Sequence, residues 1–267
     1  MAVKTPQLNN APVIHVLIQV VVDDYLKIGT RIPDLQESLR HLGFFEFEQL
    51  MSQHYNLNPE TGELSVNLAN LWRFFSIDRS TRLSVNQNSI ILEQANHTHF
   101  GGLKEELLRI LQETGKIWPE GHKNRRRLGL RYVNLLKPTQ QHPEPVDFLS
   151  GGFRGVSLTG KTMKKNFRKV ESFIEFAYGL VAIRYADIPG QPIFPVGIDP
   201  TGMRHKIPKL DNSFGLLDID CFNQIEKQYN LEELSIELEQ FHEHVHSAFL
   251  SSCTESALKE WRLYNAK

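Results

Sequence analysis

Two stretches of this 267-residue chain have the residue types and spacing of well-understood chemistry. Residues 155–162 read GVSLTGKT, two glycines bracketing four residues and followed by Lys161 and Thr162. In a P-loop such a turn delivers a buried strand onto a helix N-terminus, where backbone amides and the lysine wrap phosphates. Residues 242–246 read HEHVH. In a zinc hydrolase, two histidines four apart on a helix hold the metal, and the glutamate beside the first activates its water. A third constellation is Asp218 and Asp220 in LLDID, which alternate onto one side of a strand as metal-dependent nucleases require.

The elements that must position these residues decide each case. Ahead of GVSLTGKT stands DFLSGGFR, two glycines and an arginine where a buried apolar strand is needed. Downstream, Met163, Phe167, Val170 and Phe173 have helical spacing, and FGLLD (214–218) resembles a Walker B strand. The remaining sequence reads as an antiparallel meander plus one helix, not as the repeated strand–helix units of a nucleotide-binding sheet. The stretch is therefore a basic Gly/Ser/Thr loop. In the helix around HEHVH, the apolar positions Leu234, Leu238, Phe241, Val245, Ala248 and Phe249 fall within about −40° to +60° of Leu234 at 100° per residue. His242 and His246 fall at about 80° and 120°, and Glu243 at about 180°, opposite the core. The glutamate thus shares a solvated acidic face with Glu232 and Glu239, the wrong place for a catalytic base. LLDID reads as a half-exposed strand with a solvent-facing acidic pair. Neither Cys221 nor Cys253 has a basic or glycine-rich neighbour that would make it a nucleophile. These readings predict no catalytic residue, no metal ligand and no cofactor.

Charge is distributed unevenly. Lys116 to Lys169 holds thirteen Lys and Arg against three acids, in a chain whose net charge is −1. Both flanks are acidic. Such a segment is a footprint for phosphate or an acidic partner. The residues expected to make that contact are Lys123, Arg125, Arg126, Arg127, Arg131, Lys161, Lys164, Lys165 and Arg168. Arg127 and Arg131 flank Gly129 on one face of a strand, with Tyr132 on the other, so no aromatic stacking platform for single strands is expected.

Val13–Val22 predicts a strand with Ile14, Val16, Ile18, Val20 and Val22 on one apolar face. A short helix follows from Thr30 to Gly43, with Pro33 in its first turn. Turn clusters NPETGE (58–63), DRS (78–80) and NQN (86–88) divide a meander, which leads to a helix from about Leu103 to Ile117. RRLGLRYVNLL closes the block as another strand. The Pro- and Gly-containing stretch 137–152 reads as a linker. Beyond it, strand-like runs at 171–188, 191–198 and 214–221 precede a long helix capped by Asn230, with Glu233 three residues on. The expected fold is α+β: two similar halves, 1–136 and 153–267, each an antiparallel β-meander followed by a helix, with a long C-terminal helix. The apolar run at 13–22 is interrupted by His15 and Gln19 and followed by two aspartates, so no membrane span or secretory leader is expected, and the cytoplasm is the expected compartment.

APVIHVLIQVVV near the start, RRLGLRYVNLL, LLDID and a last helix of the form L-x-x-F-H followed by AFLSSCTESALKEW together resemble a sporadically distributed family of uncharacterised bacterial proteins of about this length. The family's central strand continues as Y-I-N-R, whereas Asn134 is followed here by Leu135. His242 falls on a family position; GVSLTGKT and the complete HEHVH do not. The patchy distribution implies a gene that travels, as in mobile defence or toxin–antitoxin loci, and implies no activity. The function expected is non-catalytic recognition of a macromolecular partner through the basic central segment, the partner being another protein. Nucleic-acid binding and a nucleotide- or metal-dependent hydrolase are the alternatives.

Overall fold

Apolar alternation sets the centre of the molecule. The computed structural model describes residues 10–57, 64–155, 167–210 and 213–261. In strand β1 (Val13–Val22), Val16, Ile18, Val20 and Val22 are fully buried in the main core. Ile14 departs from this row. A register irregularity between Val13 and His15 turns it to the opposite face, where it packs with Val133, Leu135, Ile198 and Leu216. A β-bulge does this by adding one residue against its partner strand.

The protein is α+β, with a single ten-stranded antiparallel sheet. The strands are β2 (Phe44–Leu57), β3 (Leu64–Ser76), β4 (Thr81–Val85), β5 (Ser89–Gln94), β6 (Asn124–Leu136), β7 (Arg168–Phe176), β8 (Gly179–Asp187), β9 (Gly215–Asn223) and β10 (Lys227–Gln228), together with β1. Their order across the sheet is β2-β3-β4-β5-β1-β6-β9-β8-β7, with β10 beside β6. Helices α1 (Ile32–His41), α2 (Phe100–Ile117) and α3 (Leu231–Ser252) contribute buried apolar side chains to the main core, and α4 (Glu255–Glu260) follows.

The helix ends follow local chemistry. Gly43, at φ 96, lies just beyond α1, where a left-handed residue is needed. Asn230 accepts from the amides of Glu232 and Glu233, which fixes the start of α3. The cap of α2 is less ordinary. The ring of His99 accepts from the amide of Gly102, so the helix begins at Phe100 rather than near Leu103.

Several expectations are corrected by packing. The run 171–188, expected to be strand-like, is the β7–β8 hairpin, although the spacing of Phe167, Val170 and Phe173 also suits a helix. No strand forms between Asp187 and Gly215 among the described residues; instead 188–210 crosses the face of the sheet opposite α1–α3. The stretch read as a linker, 137–152, buries Val146, Phe148 and Leu149 in the main core, and Leu149 bridges Cys253. A segment anchored in this way is structural rather than a spacer. One core spans both sides of it. Among the described residues no helix is long and apolar enough to cross a membrane.

Candidate interaction surface

Among the described residues, the basic segment is divided between the two faces of the sheet. On β6, Arg125 is buried, and its Nη2 donates to Glu237 of α3 at 2.6 Å. Arg127 and Arg131 project from the opposite face, because the register shift that sets Arg127 opposite Val21 but Arg125 opposite Val22 turns Arg125 over. Arg131 makes a two-pronged pair with Asp218 (2.7 Å on each prong) and donates to the carbonyl of Val196. Arg127 donates to the Gln19 side chain and lies over the Phe222 ring, 4.6 Å from its centroid. Arg126 is exposed but pairs with Asp23 and Glu226. Arg168, three strands away from β6 on β7, bonds Asp187 at 2.7 Å and Glu144 at 2.8 Å. Lys123 is exposed just before β6. Lys161, Lys164 and Lys165 lie outside the described residues, as does GVSLTGKT after Gly155.

The expectation of a continuous cationic patch therefore fails at its centre. Arg125, Arg131 and Arg168 are held by carboxylates in partly or fully desolvated sites, and a phosphate would have to displace those carboxylates. The acidic pair is corrected too. Asp218 is buried, and with Asp220 it faces Arg131 and Arg184 on one polar strip of the sheet, not solvent. Burial raises the Asp220 pKa against the pull of Arg131 and Arg127.

That strip continues across the sheet beneath 188–210. Arg82 makes a two-pronged buried pair with Glu93 and also donates to the carbonyls of Asp199 and Thr201. His15 Nε2 stands 3.4 Å from Glu93, and its Nδ1 is 3.1 Å from Nε2 of His205. Arg73 holds Asp199 at 2.6 Å. Although burial opposes it, hydrogen bonds from Thr201 and Arg73 bring Asp199 down to about 2. Burial, reinforced by His15, lowers His205 to about 4, so a neutral ring joins 188–210 to the sheet at pH 7. The sequence offered no signal for this network, because its members come from five separated segments.

The HEHVH helix is placed as its periodicity predicts. Glu243 is exposed, and His242 stacks on Phe100 with ring centroids 4.1 Å apart and planes within 4°. Burial, then the neighbouring His246, lowers His242 to about 4. Burial likewise lowers His97, whose ring meets Tyr132 edge-on at 5.4 Å, to about 4. The described residues hold no group of three or more metal-ligating side chains. Both cysteines are buried, and burial pushes Cys253 up to about 12, unsuited to nucleophilic work.

A different region is open. β4 pairs with β3 only from Trp72 to Phe75, whereas β2 and β3 continue to pair as far as Leu57 opposite Leu64. Residues 50–57 and 64–71 thus form a two-stranded ribbon that runs on the order of 25 Å past the sheet. NPETGE, the turn expected between the strands, lies outside the described residues. At the ribbon's base Met51 is 71% exposed, and Leu50 is also exposed. From Phe44 to Leu71 the chain has four glutamates and no Lys or Arg. Glu46 and Glu48 are both paired with Arg79. The sequence matches no protein-family model, and no curated protein shows significant similarity to it.

Proposed function

We propose that the protein is a non-catalytic binding module whose partner is another protein, engaged by the β2–β3 ribbon. The observation that carries this reading is a long two-stranded extension with no third strand beside it among the described residues, exposing apolar side chains at its base. An isolated pair of strands is marginal in water, so a ribbon of this length gains most of its stability on docking. Apolar strand surface and unpaired strand edges are the ordinary means of protein recognition. The absence of Lys and Arg from Phe44 to Leu71 disfavours a nucleic acid there, because binding to phosphates depends on cationic neutralisation.

The strand order supports a finer reading of the architecture. β1 and β6 lie side by side at the centre, and each is followed in the chain by strands that return to its outer side, β5 beside β1 and β9 beside β6. A helix follows each returning strand, α2 after β5 and α3 after β10, which trails β9. In this reading the protein has two similar halves, with β6 opening the second rather than closing the first, where the division into 1–136 and 153–267 places it. The ribbon is then what the first half has and the second lacks.

Affinity capture of the tagged protein from its native host, with nuclease-treated and untreated samples compared, tests the proposal. A protein partner retained after nuclease and lost in Leu50→Asp/Met51→Asp is expected. Capture that disappears with nuclease, or that ignores the double substitution, overturns it.

A further inference from the structure

The second open edge of the sheet points to a different occupant. β7 is the terminal strand opposite β2, and among the described residues it pairs only with β8. Along it Lys169, Glu171, Ser172, Phe173, Ile174 and Glu175 are all exposed, with Phe173 57% and Ile174 53% accessible. An exposed strand with apolar side chains on both faces is a template for another strand.

We infer that β7 pairs antiparallel with β7 of a second copy of this chain, centred on Ser172. The strand is self-complementary in this register. With Ser172 opposite Ser172, Lys169 stands opposite Glu175 twice and Val170 opposite Ile174 twice. All nine residues from Arg168 to Phe176 are used. Directly opposed residues share a face in an antiparallel pair, so each of these contacts is close. The neighbouring centres are worse. Centring on Glu171 sets that carboxylate against its own copy, and centring on Phe173 sets Glu171 against Glu175 twice. A centre between residues would oppose side chains on different faces.

β2 offers no comparable match. Its charged residues are Glu46 and Glu48, with no Lys or Arg from Phe44 to Leu57, so two copies would bring only like charge together. The β7 pairing buries exposed Phe173 and Ile174, joins two sheets into one of twenty strands, and leaves both ribbons at the far ends. It stands on a different edge from the proposed partner site and does not depend on it.

Sedimentation equilibrium of the full chain over a wide concentration range tests the inference, with circular dichroism to verify the fold of each variant. The wild type is expected to show a monomer–dimer equilibrium. Lys169→Glu and Glu175→Lys should each weaken the dimer about tenfold, since opposed unlike charges become like charges at two symmetric positions. The double variant Lys169→Glu/Glu175→Lys should restore the dimer, because the reversed residues again face each other. Ile174→Asp should give a monomer. A wild type that stays monomeric, a dimer indifferent to the single substitutions, or a double variant as weak as the singles overturns the inference.

Discussion

The basic segment and the β2–β3 ribbon have opposite relations between composition and availability. The first holds the greatest concentration of positive charge in the chain, yet Arg125, Arg131 and Arg168 are drawn into ion pairs with Glu237, Asp218 and Asp187. The second has no cation and reads as an unremarkable hairpin, yet it projects from the sheet with Met51 and Leu50 exposed. Charge density along a sequence measures what a segment could contact. Which charges remain for a partner is decided by the acids that tertiary structure brings beside them. A buried arginine paired with a carboxylate is expensive to disturb and contributes to stability through its partner's need for it.

The comparison predicts different consequences for substitution in the two regions. The largest effect is expected for Arg131→Ala, which leaves the buried carboxylate of Asp218 with only the weaker contact to Arg184, 3.5 Å away. A loss of about 3–5 kcal/mol is expected in urea unfolding. A cost near zero would mean that Arg131 is available for binding after all. Phe241→Ala, which truncates a fully buried ring of α3, should cost a similar 3–5 kcal/mol and sets the scale.

An intermediate effect is expected from pH. His97, His205 and His242 all have folded-state pKa values lowered to about 4, chiefly by burial. The unfolded chain therefore binds more protons than the folded one between about pH 6.5 and pH 4, and stability must fall as pH drops through that window. Melting temperature measured across it should decline, and His242→Gln should flatten the slope. An unchanged slope would remove His242 from the account. The smallest stability change in the basic segment is expected for Arg126→Ala, an exposed pair with Asp23, at no more than about 1 kcal/mol.

Much of the fold was legible because it rests on local chemistry. The row Val16, Ile18, Val20 and Val22 of β1, the Asn230 cap and the outward Glu243 all follow from residue order. Where the sequence misled, a distant partner decided the outcome. Residues 191–198 read as a strand, but they belong to the segment that crosses the face of the sheet and form none. The stretch 137–152 has the prolines and glycines of a linker, but Phe148 stacks between His142 and Trp261 and anchors it. The ion pairs of the basic segment were hidden for the same reason, since nothing local links Arg125 to Glu237. The ribbon was missed because its distinguishing feature is the early end of β4, visible only once register is known.

The central claim is tested most directly by placing a photo-crosslinking residue at Met51 in one sample and at Arg126 in another, and irradiating both in the native host. A crosslink from Met51 to another protein, with none from Arg126, is the predicted result. A crosslink to protein or nucleic acid from Arg126, with Met51 silent, would contradict it.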